Sequence, residues 1–513
     1  MPKTPSHKLF DLIKGLSGSE KRYFKVYAGK QAGPDSKYLR LFDAIDAQQS
    51  FDDGLLRKAV YGNSPVQSRK YSELKSYLYD WVLRSLQGYD EKTSADYRIK
   101  HYLLSIRVLF RRSRFDACQE ILAKAKKTAR QYEQFTALLD LLGWEKQLAY
   151  ARADIDYLDE ALPRISEEER FTIEQLQTVS AYRNLFFRLL VSLRKDASLI
   201  GADYRQKLGE VVDDPLLQEA SRANSHQARV YYFRTLSIYR LAISDLQGFY
   251  ELSHELIRLM ESQPHFLKED VSEYISALSN LIMSCGRLGR HEELQAHLLK
   301  LKQVPPLTSD DELKIHRQYY QNRFSLCIAR GEFELGMKEL RAHLKARERF
   351  EAHFFETPTF FYNYFYIAFG AGAYDEALAF LNQWLNLDYT VERQDLQGIA
   401  RILNLIVHFE LGNYVLLDSL LRSTYRYLKK RGQLHRMEQE LLSLLRKAIN
   451  APSKQDLLGA YSSIKDAFER GEPAQTQSFF TKAFDIMAWL KSKIEGRTFA
   501  EVLQDQYERA RSA

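Results

Sequence analysis

The stretch "HEELQAH", residues 291–297, resembles a zinc-protease motif in its residue types. That motif, HExxH, places two histidines one helical turn apart to bind the metal and uses the glutamate as a base. This chain has Gln295 where the second histidine would stand, and His297 comes two residues too late. The sequence also lacks the G-x-S-x-G turn that presents a nucleophilic serine. We therefore expect a protein that is not an enzyme and that holds no metal and no cofactor.

A Gly-Ala-Gly-Ala sequence at residues 370–373 raises the question of a phosphate-binding loop. A dinucleotide-binding loop has the pattern G-x-G-x-x-G after a strand, and its glycines let the backbone approach the phosphates. Asp375 occupies the position of the last glycine, and the aromatic residues before the loop have the pattern of a helix. These residues instead favour a turn between two helices.

The cysteines and the first residues bear on location. Cys118, Cys285 and Cys327 are far apart and odd in number, which fits neither a disulfide framework nor a zinc ribbon. We expect buried structural thiols. The opening "MPKTPSHKLFDLIKGLSGSEK" lacks the apolar core of a secretory signal, and no apolar run is long enough for a transmembrane span. The sequence therefore predicts a cytoplasmic protein.

Positive charge is concentrated in the first quarter of the chain. Residues 1–130 contain 26 Lys and Arg against 14 Asp and Glu, whereas the whole chain has a net charge of +7. "SEKRYFKVYAGK" interleaves cations with aromatic residues, a composition that can hold phosphates and stack on bases. The same interleaving arises when aromatics form the buried stripe of a helix and cations its solvated face. Contact with an acidic partner, a nucleic acid or a membrane surface stays open, and the cations concerned are Lys21, Arg22, Lys25, Arg111, Arg112, Arg114, Lys126 and Lys127.

The composition predicts helix nearly throughout. The chain has 513 residues, of which 45% are hydrophobic, with 12 prolines and 23 glycines. Leu, Ala, Glu, Lys, Arg and Gln dominate, and these residues favour helices. This length allows two to four domains or one long array of repeats.

A repeat is visible once the glycine turns are aligned. Turn positions 247, 289, 331, 372 and 412 are separated by 42, 42, 41 and 40 residues. At most of them glycine is followed two positions later by an aromatic residue and three further by a small or apolar one, as in Gly372, Tyr374 and Ala377. Gln247 and His291 depart from this pattern. Each turn lies between two apolar-periodic stretches, so each unit is predicted to be a helical hairpin.

These units resemble tetratricopeptide repeats over residues 230–430, although the usual period is about 34 residues. The resemblance implies an all-α, right-handed superhelix of hairpins in which a small residue, such as Gly336 or Ala377, lets two helices approach closely. It also implies a concave groove that binds a peptide or partner protein. Asn280, Asn322 and Asn363 share one position in successive units, nine residues before the turn glycine. The corresponding groove residues are Asn280, Arg287, Asn322, Ser325, Asn363 and Tyr366, with Ala329 and Gly370 leaving space.

The predicted organisation has four parts. Residues 1–90 form a small basic helical head, residues 91–230 weakly repeat-like hairpins, residues 231–430 the tetratricopeptide-like repeats, and residues 431–513 a helical cap. The function predicted from this layout is a cytoplasmic, non-enzymatic scaffold or regulatory adaptor that binds a peptide or protein in the groove. The alternative is a nucleic-acid or transcription-associated regulator that uses the basic head, with the solenoid as its sensor.

Overall fold

The computed structural model describes residues 7–512 apart from 34, 63, 65–66, 196–207, 388–393, 451–452 and 470–482. Within these residues the regular elements are helices, as the composition predicts. They are α1 Lys8–Lys14, α2 Gly18–Ala32, α3 Lys37–Ala47, α4 Asp53–Tyr61, α5 Ser68–Thr93, α6 Ala95–Phe110, α7 Phe115–Gln131, α8 Phe135–Ala151, α9 Ile155–Lys195, α10 Pro215–Gln218, α11 His226–Ala242, α12 Leu246–Ser262, α13 Pro264–Leu267, α14 Val271–Arg287, α15 His291–Gln303, α16 Ser309–Arg330, α17 Phe333–Ala346, α18 Pro358–Gly370, α19 Tyr374–Leu385, α20 Gln394–Glu410, α21 Tyr414–Lys430, α22 Arg436–Ile449, α23 Lys454–Glu469, α24 Ile486–Glu495 and α25 Phe499–Ser512.

The helices form two compact units. The first comprises Met1–Leu288 with Gln303–Glu312, and the second comprises Gly289–Lys302 with Leu313–Ala513. Helices that follow each other across a short turn pack together, as α6 does with α7, α11 with α12 and α18 with α19. The all-α class and the hairpins are therefore observed. Among the described residues, every helix is too short or too polar to cross a membrane.

The first five helices, α1 to α5, pack together near the start of the chain. Their apolar faces meet in one core that includes Ile13, Phe24, Phe42 and Leu78. A capping box closes the start of α2, because Glu20 N–H donates to Ser17 Oγ at 3.3 Å and Ser17 N–H donates to Glu20 Oε2 at 2.6 Å. Such a box satisfies two donors that the helix leaves free.

Four of the five predicted turns are confirmed at their glycines. Gly289, Gly331, Gly372 and Gly412 have φ between +69° and +75°, the left-handed conformation that glycine adopts without steric cost. The fifth position was misplaced by three residues, since Gln247 lies inside α12 and Ser244 is left-handed with φ of +64°. The aligned glycines thus mark real helix ends.

The first unit makes the same turn with other residues. Ser113, Glu133 and Ala153 also have positive φ, between +50° and +55°, at the ends of α6, α7 and α8. After each, the next N–H donates to the carbonyl five residues earlier, at 2.9–3.0 Å, which closes the helix end. The 41-residue helix α9 runs through Ser166, although Ser166 and Glu169 have the spacing of a capping box.

Small residues in the second unit lie at helix crossings, as predicted. Ala377 is fully buried, and a Cβ on Gly336 would come within 3.1 Å of Ile367 Cγ2. Around these crossings α18, with ten buried residues, packs into an aromatic core. The last helix, α25, also packs against a hairpin turn, because Gln504 Nε2 donates to the Gly331 carbonyl at 3.0 Å.

Candidate binding site

Two of the residues predicted to line the peptide groove are buried instead. Asn363 is 2% exposed and Tyr366 is 4% exposed. The Tyr366 hydroxyl accepts a hydrogen bond from Asp485 N–H at 3.3 Å, and its ring lies near Phe333 and Phe484. The prediction that these two side chains face a ligand is therefore wrong, because α18 is enclosed by its neighbours on this face as well.

The remaining groove residues differ in exposure. Asn322 donates to the Gln318 carbonyl at 2.8 Å, and the exposed Ser325 donates to the Gln321 carbonyl at 3.0 Å. Such bonds to the preceding helical turn are common for Asn and Ser within helices. Asn280 is half-buried and Arg287 is exposed, both in the first unit. A single groove across all of these positions stays a prediction.

The cations of the first quarter do not all contribute to a positive surface. Lys21 pairs with Asp46 and Lys25 pairs with Asp43, each at 2.7 Å. Lys126, expected on the surface, is only 8% exposed and pairs with a glutamate of the next helix. The other members, Arg22, Arg111, Arg112, Arg114 and Lys127, are exposed. Pairing with acids weakens the case for a phosphate-binding face at α2.

Lys126 belongs to a concave site on the first unit, which we call the α7–α9 pocket. The cavity has a volume of about 320 Å³ and lies between α7, the end of α8 and the beginning of α9. Its lining residues are Gln119, Leu122, Ala123, Lys126, Arg130, Glu145, Leu148, Ala149, Arg152, Asp154, Tyr157 and Arg164. Four of them are cations and two are acids, so the lining carries a formal charge of +2.

Glu145 holds the three helices together at the centre of the pocket. Its carboxylate accepts hydrogen bonds from Lys126 of α7, from Tyr157 Oη of α9 at 2.8 Å and from Arg164 of α9 at 2.8 Å. Burial raises the pKa of Glu145, but these three donors outweigh burial and leave the pKa below its ordinary value. Glu145 is therefore ionised at neutral pH.

The rim of the pocket is also organised by ion pairs. Arg130 binds Glu168 through two nitrogens, at 2.6 and 2.9 Å, in the bidentate geometry that arginine favours. Arg152 donates to Gln119 Oε1 at 2.6 Å and pairs with Asp116. These contacts hold both guanidinium groups in place at the rim while leaving part of each exposed.

Sequence patterns gave little indication of this pocket. Lys126 appeared among the basic residues, but Glu145 lies 19 residues from Lys126 and 19 residues from Arg164 along the chain. No local motif joins them, since the contact depends on how α7, α8 and α9 pack. A Glu within the apolar sequence "FTALLDLLGWEKQLAYA" was the one available signal, because a buried acid in such a helix needs a partner.

Comparison with models of known protein families finds no match, and a search among curated proteins finds none either.

Proposed function

We propose that this protein is a non-enzymatic scaffold or adaptor of helical hairpins that binds an acidic segment of a partner protein in the α7–α9 pocket. The observation that carries the proposal is the convergence of four cations, Lys126, Arg130, Arg152 and Arg164, on one cavity with only two acids in its lining. A ligand carboxylate or phosphate shares these cations with their acidic partners Glu145, Glu168 and Asp116.

Unused hydrogen-bond donors support an anionic ligand. The Lys126 ammonium has three N–H donors, and Glu145 is its partner among the described residues. The Arg164 guanidinium has five donors; among the described residues it donates to Glu145 at 2.8 Å and forms a longer ion pair with Glu168 at 4.0 Å. Because Lys126 is nearly buried, its remaining donors meet little water, and an anion that reaches them gains a charge-assisted bond.

The size of the cavity suits an amino-acid side chain. Water occupies about 30 Å³ per molecule, so 320 Å³ accommodates roughly ten waters, or one to two acidic side chains. Leu122, Leu148 and Ala149 in the wall provide apolar contacts for the stem of such a side chain. We therefore expect a short segment with a central Asp, Glu or phosphorylated residue.

Two further features support a binding role in the cytoplasm. Repeated helical hairpins with glycine turns resemble tetratricopeptide repeats, and solenoids of that kind chiefly bind other proteins. The three cysteines are buried and form no disulfide among the described residues, which suits a reducing compartment.

The test compares acidic peptides with peptides of the same composition whose Asp and Glu are changed to Asn and Gln. The full chain is titrated with each, and affinities are measured at low and physiological salt. We expect binding of the acidic set only, and binding that weakens with salt because Arg152 and Arg130 are partly exposed.

Two variants locate the binding in the pocket. Ala123→Trp fills the cavity without removing a charge, and Arg152→Gln removes one rim cation; both should weaken binding about tenfold, as expected for loss of one charge-assisted contact. Lys127→Gln is the matched control, because Lys127 is exposed on α7 and outside the lining. Equal weakening of peptide binding in all three variants contradicts the proposal. It is also contradicted if the purified protein retains nucleic acid and loses it on substitution of Arg111, Arg112 and Arg114.

A further inference from the structure

A second cavity of the first unit has a different character, and we call it the α11 pocket. Its volume is about 260 Å³, and it lies between the α7–α8 turn, the first half of α11 and the segment from α12 to α14. The lining residues are Tyr132, Gln134, His226, Gln227, Val230, Tyr231, Arg234, Met260, Phe266, Leu267, Glu269, Asp270 and Glu273. Aromatic and apolar side chains are prominent among them, in contrast to the α7–α9 pocket.

Aromatic rings form one wall of the α11 pocket. His226 stacks on Phe266 with ring centroids 4.2 Å apart and an angle of 6° between the planes. Tyr132 meets Phe266 edge-on at 6.1 Å. The backbone N–H of His226 donates to Glu133 Oε1 at 2.7 Å, and that of Gln227 donates to Glu133 Oε2 at 2.9 Å, which fixes the start of α11. The wall is therefore held in place before any ligand binds.

Among the described residues, a buried nitrogen of this wall lacks a hydrogen-bond partner. His226 is 8% exposed, and its Nδ1 is buried without a hydrogen bond among the described residues. Burial, with smaller effects from His265 and Arg229, lowers the pKa of His226 to about 4, so the ring is neutral at pH 7. A buried polar atom left unpaired costs free energy, and a ligand that pairs with it recovers that cost.

We propose that the α11 pocket binds a hydroxylated aromatic ring whose hydroxyl group hydrogen bonds to His226 Nδ1. A hydroxyl group both donates and accepts, so it pairs with Nδ1 in either tautomer of a neutral histidine. A cavity of about 150 Å³ holds benzene, so 260 Å³ holds a phenol with a short substituent. Val230, Tyr132 and Met260 supply the apolar contacts for the ring.

The charged residues that line the pocket indicate which charge the substituent on the phenol ring should carry. Glu269, Asp270 and Glu273 oppose one cation, Arg234, which gives these four residues a formal charge of −2. A neutral or cationic substituent fits this field better than an anionic one. A small phenolic amine and the N-terminal tyrosine of a peptide share this chemistry. The proposal uses no residue of the α7–α9 pocket and stands apart from the function proposed above.

The experiment titrates the full chain with 4-methylphenol, toluene, tyramine and 4-hydroxyphenylacetate and follows binding by calorimetry or ligand-observed NMR. We expect 4-methylphenol to bind about 3- to 10-fold more tightly than toluene, the ratio that one hydrogen bond provides. Tyramine should bind more tightly than 4-hydroxyphenylacetate. A tripeptide that begins with tyrosine then distinguishes a peptide N-terminus from a small phenolic amine as the ligand. A pocket that accepts peptide N-termini binds both the tripeptide and tyramine, whereas a pocket that accepts only the small amine binds tyramine alone.

Variants test whether His226 is responsible. His226→Phe keeps an aromatic ring against Phe266 but removes Nδ1, so the preference for 4-methylphenol over toluene should fall to about one. Val230→Trp fills the pocket and should abolish binding of every probe. His254→Phe, on α12 and outside the lining, is the matched control. The proposal is overturned if no phenolic probe binds at millimolar concentration, or if His226→Phe retains the full preference.

Discussion

The ring of Phe333 lies over Gly370, and a Cβ on Gly370 would come within 2.3 Å of the ring atoms Cδ1 and Cε1. The absence of a side chain at Gly370 lets the start of α17 pack against the end of α18. The sequence suggested that this glycine leaves space for a peptide, whereas the structure fills that space with Phe333.

The first prediction follows from this contact. Gly370→Ala should destabilise the protein by about 1–3 kcal/mol, because the Phe333 ring is buried and has little room to move. Urea unfolding of both proteins measures the change. Gly143→Ala is the control, since Gly143 lies within α8 with no atom near its added Cβ. Alanine there should raise stability by up to about 1 kcal/mol, since it favours helix more than glycine does. Equal effects of the two changes would show that Phe333 is not the cause.

A second prediction concerns the left-handed turn at the end of α8. Ala153 has φ of +54°, a conformation that costs L-residues roughly 1–2 kcal/mol. Ala153→Gly should therefore stabilise the protein by about 1 kcal/mol. The gain is smaller than the full cost of positive φ because glycine also raises the conformational entropy of the unfolded chain. Thermal unfolding is the measurement. Ala151→Gly, two residues earlier in the helix, should destabilise instead, and a loss of stability in both variants would contradict the explanation.

The same residues explain how far the sequence could predict the fold. In the second unit the turns use Gly331, Gly372 and Gly412, so alignment of glycines finds them. In the first unit Ser113 and Ala153 make the same turn, 40 residues apart, without glycine. The hydrogen bonds that close the helix end outweigh the cost of positive φ there, so these turns form without glycine. An alignment of glycines therefore cannot detect them. Helices were therefore predictable throughout, but the register of residues 115–245 was not.

The candidate pockets were less predictable, for a related reason. Asn363 is predicted to line the groove because it shares a position with Asn280 and Asn322, yet α18 is enclosed and Asn363 is buried. A one-dimensional pattern gives the face of a helix and does not give the number of neighbours around it. His226 and Glu145 were missed because their roles depend on Phe266 and Lys126, which are distant in sequence.

A third prediction tests the ion pair at the centre of the α7–α9 pocket. Glu145→Gln should destabilise the protein by about 3–5 kcal/mol, because the change leaves the buried ammonium of Lys126 without its anion. The double variant Glu145→Gln, Lys126→Met should recover much of that loss, since no buried charge remains unpaired. Urea unfolding of the single and double variants forms the cycle. If the stability lost in the double variant equals the sum of the losses in Glu145→Gln and Lys126→Met alone, the two side chains are not coupled in the way the structure indicates.

The last prediction concerns pH and a buried chain of hydrogen bonds in the second unit. His316 Nε2 lies 3.0 Å from His343 Nδ1, and His343 Nε2 lies 2.5 Å from the Tyr364 hydroxyl. Burial lowers the pKa of His316 to about 4, with a smaller contribution from Arg349. Burial likewise lowers the pKa of His343 to about 3, with smaller contributions from His316 and Arg347. Both rings are neutral in the folded protein, whereas the unfolded chain takes up these protons near pH 6.5. As the pH falls below 6.5, the unfolded state binds more protons and the free energy of unfolding must fall.

We expect a loss of about 1–2 kcal/mol for each histidine between pH 7.5 and pH 5, measured by urea unfolding across that range. His343→Phe keeps a ring in the aromatic core but removes one proton-binding group, so its stability should depend less steeply on pH. Its stability at pH 7.5 also falls, because the Tyr364 hydroxyl loses its partner, and the slope against pH is therefore the decisive quantity. His435→Gln, at an exposed histidine outside this chain of hydrogen bonds, is the matched control. A slope unchanged by His343→Phe would place the acid sensitivity of the protein elsewhere.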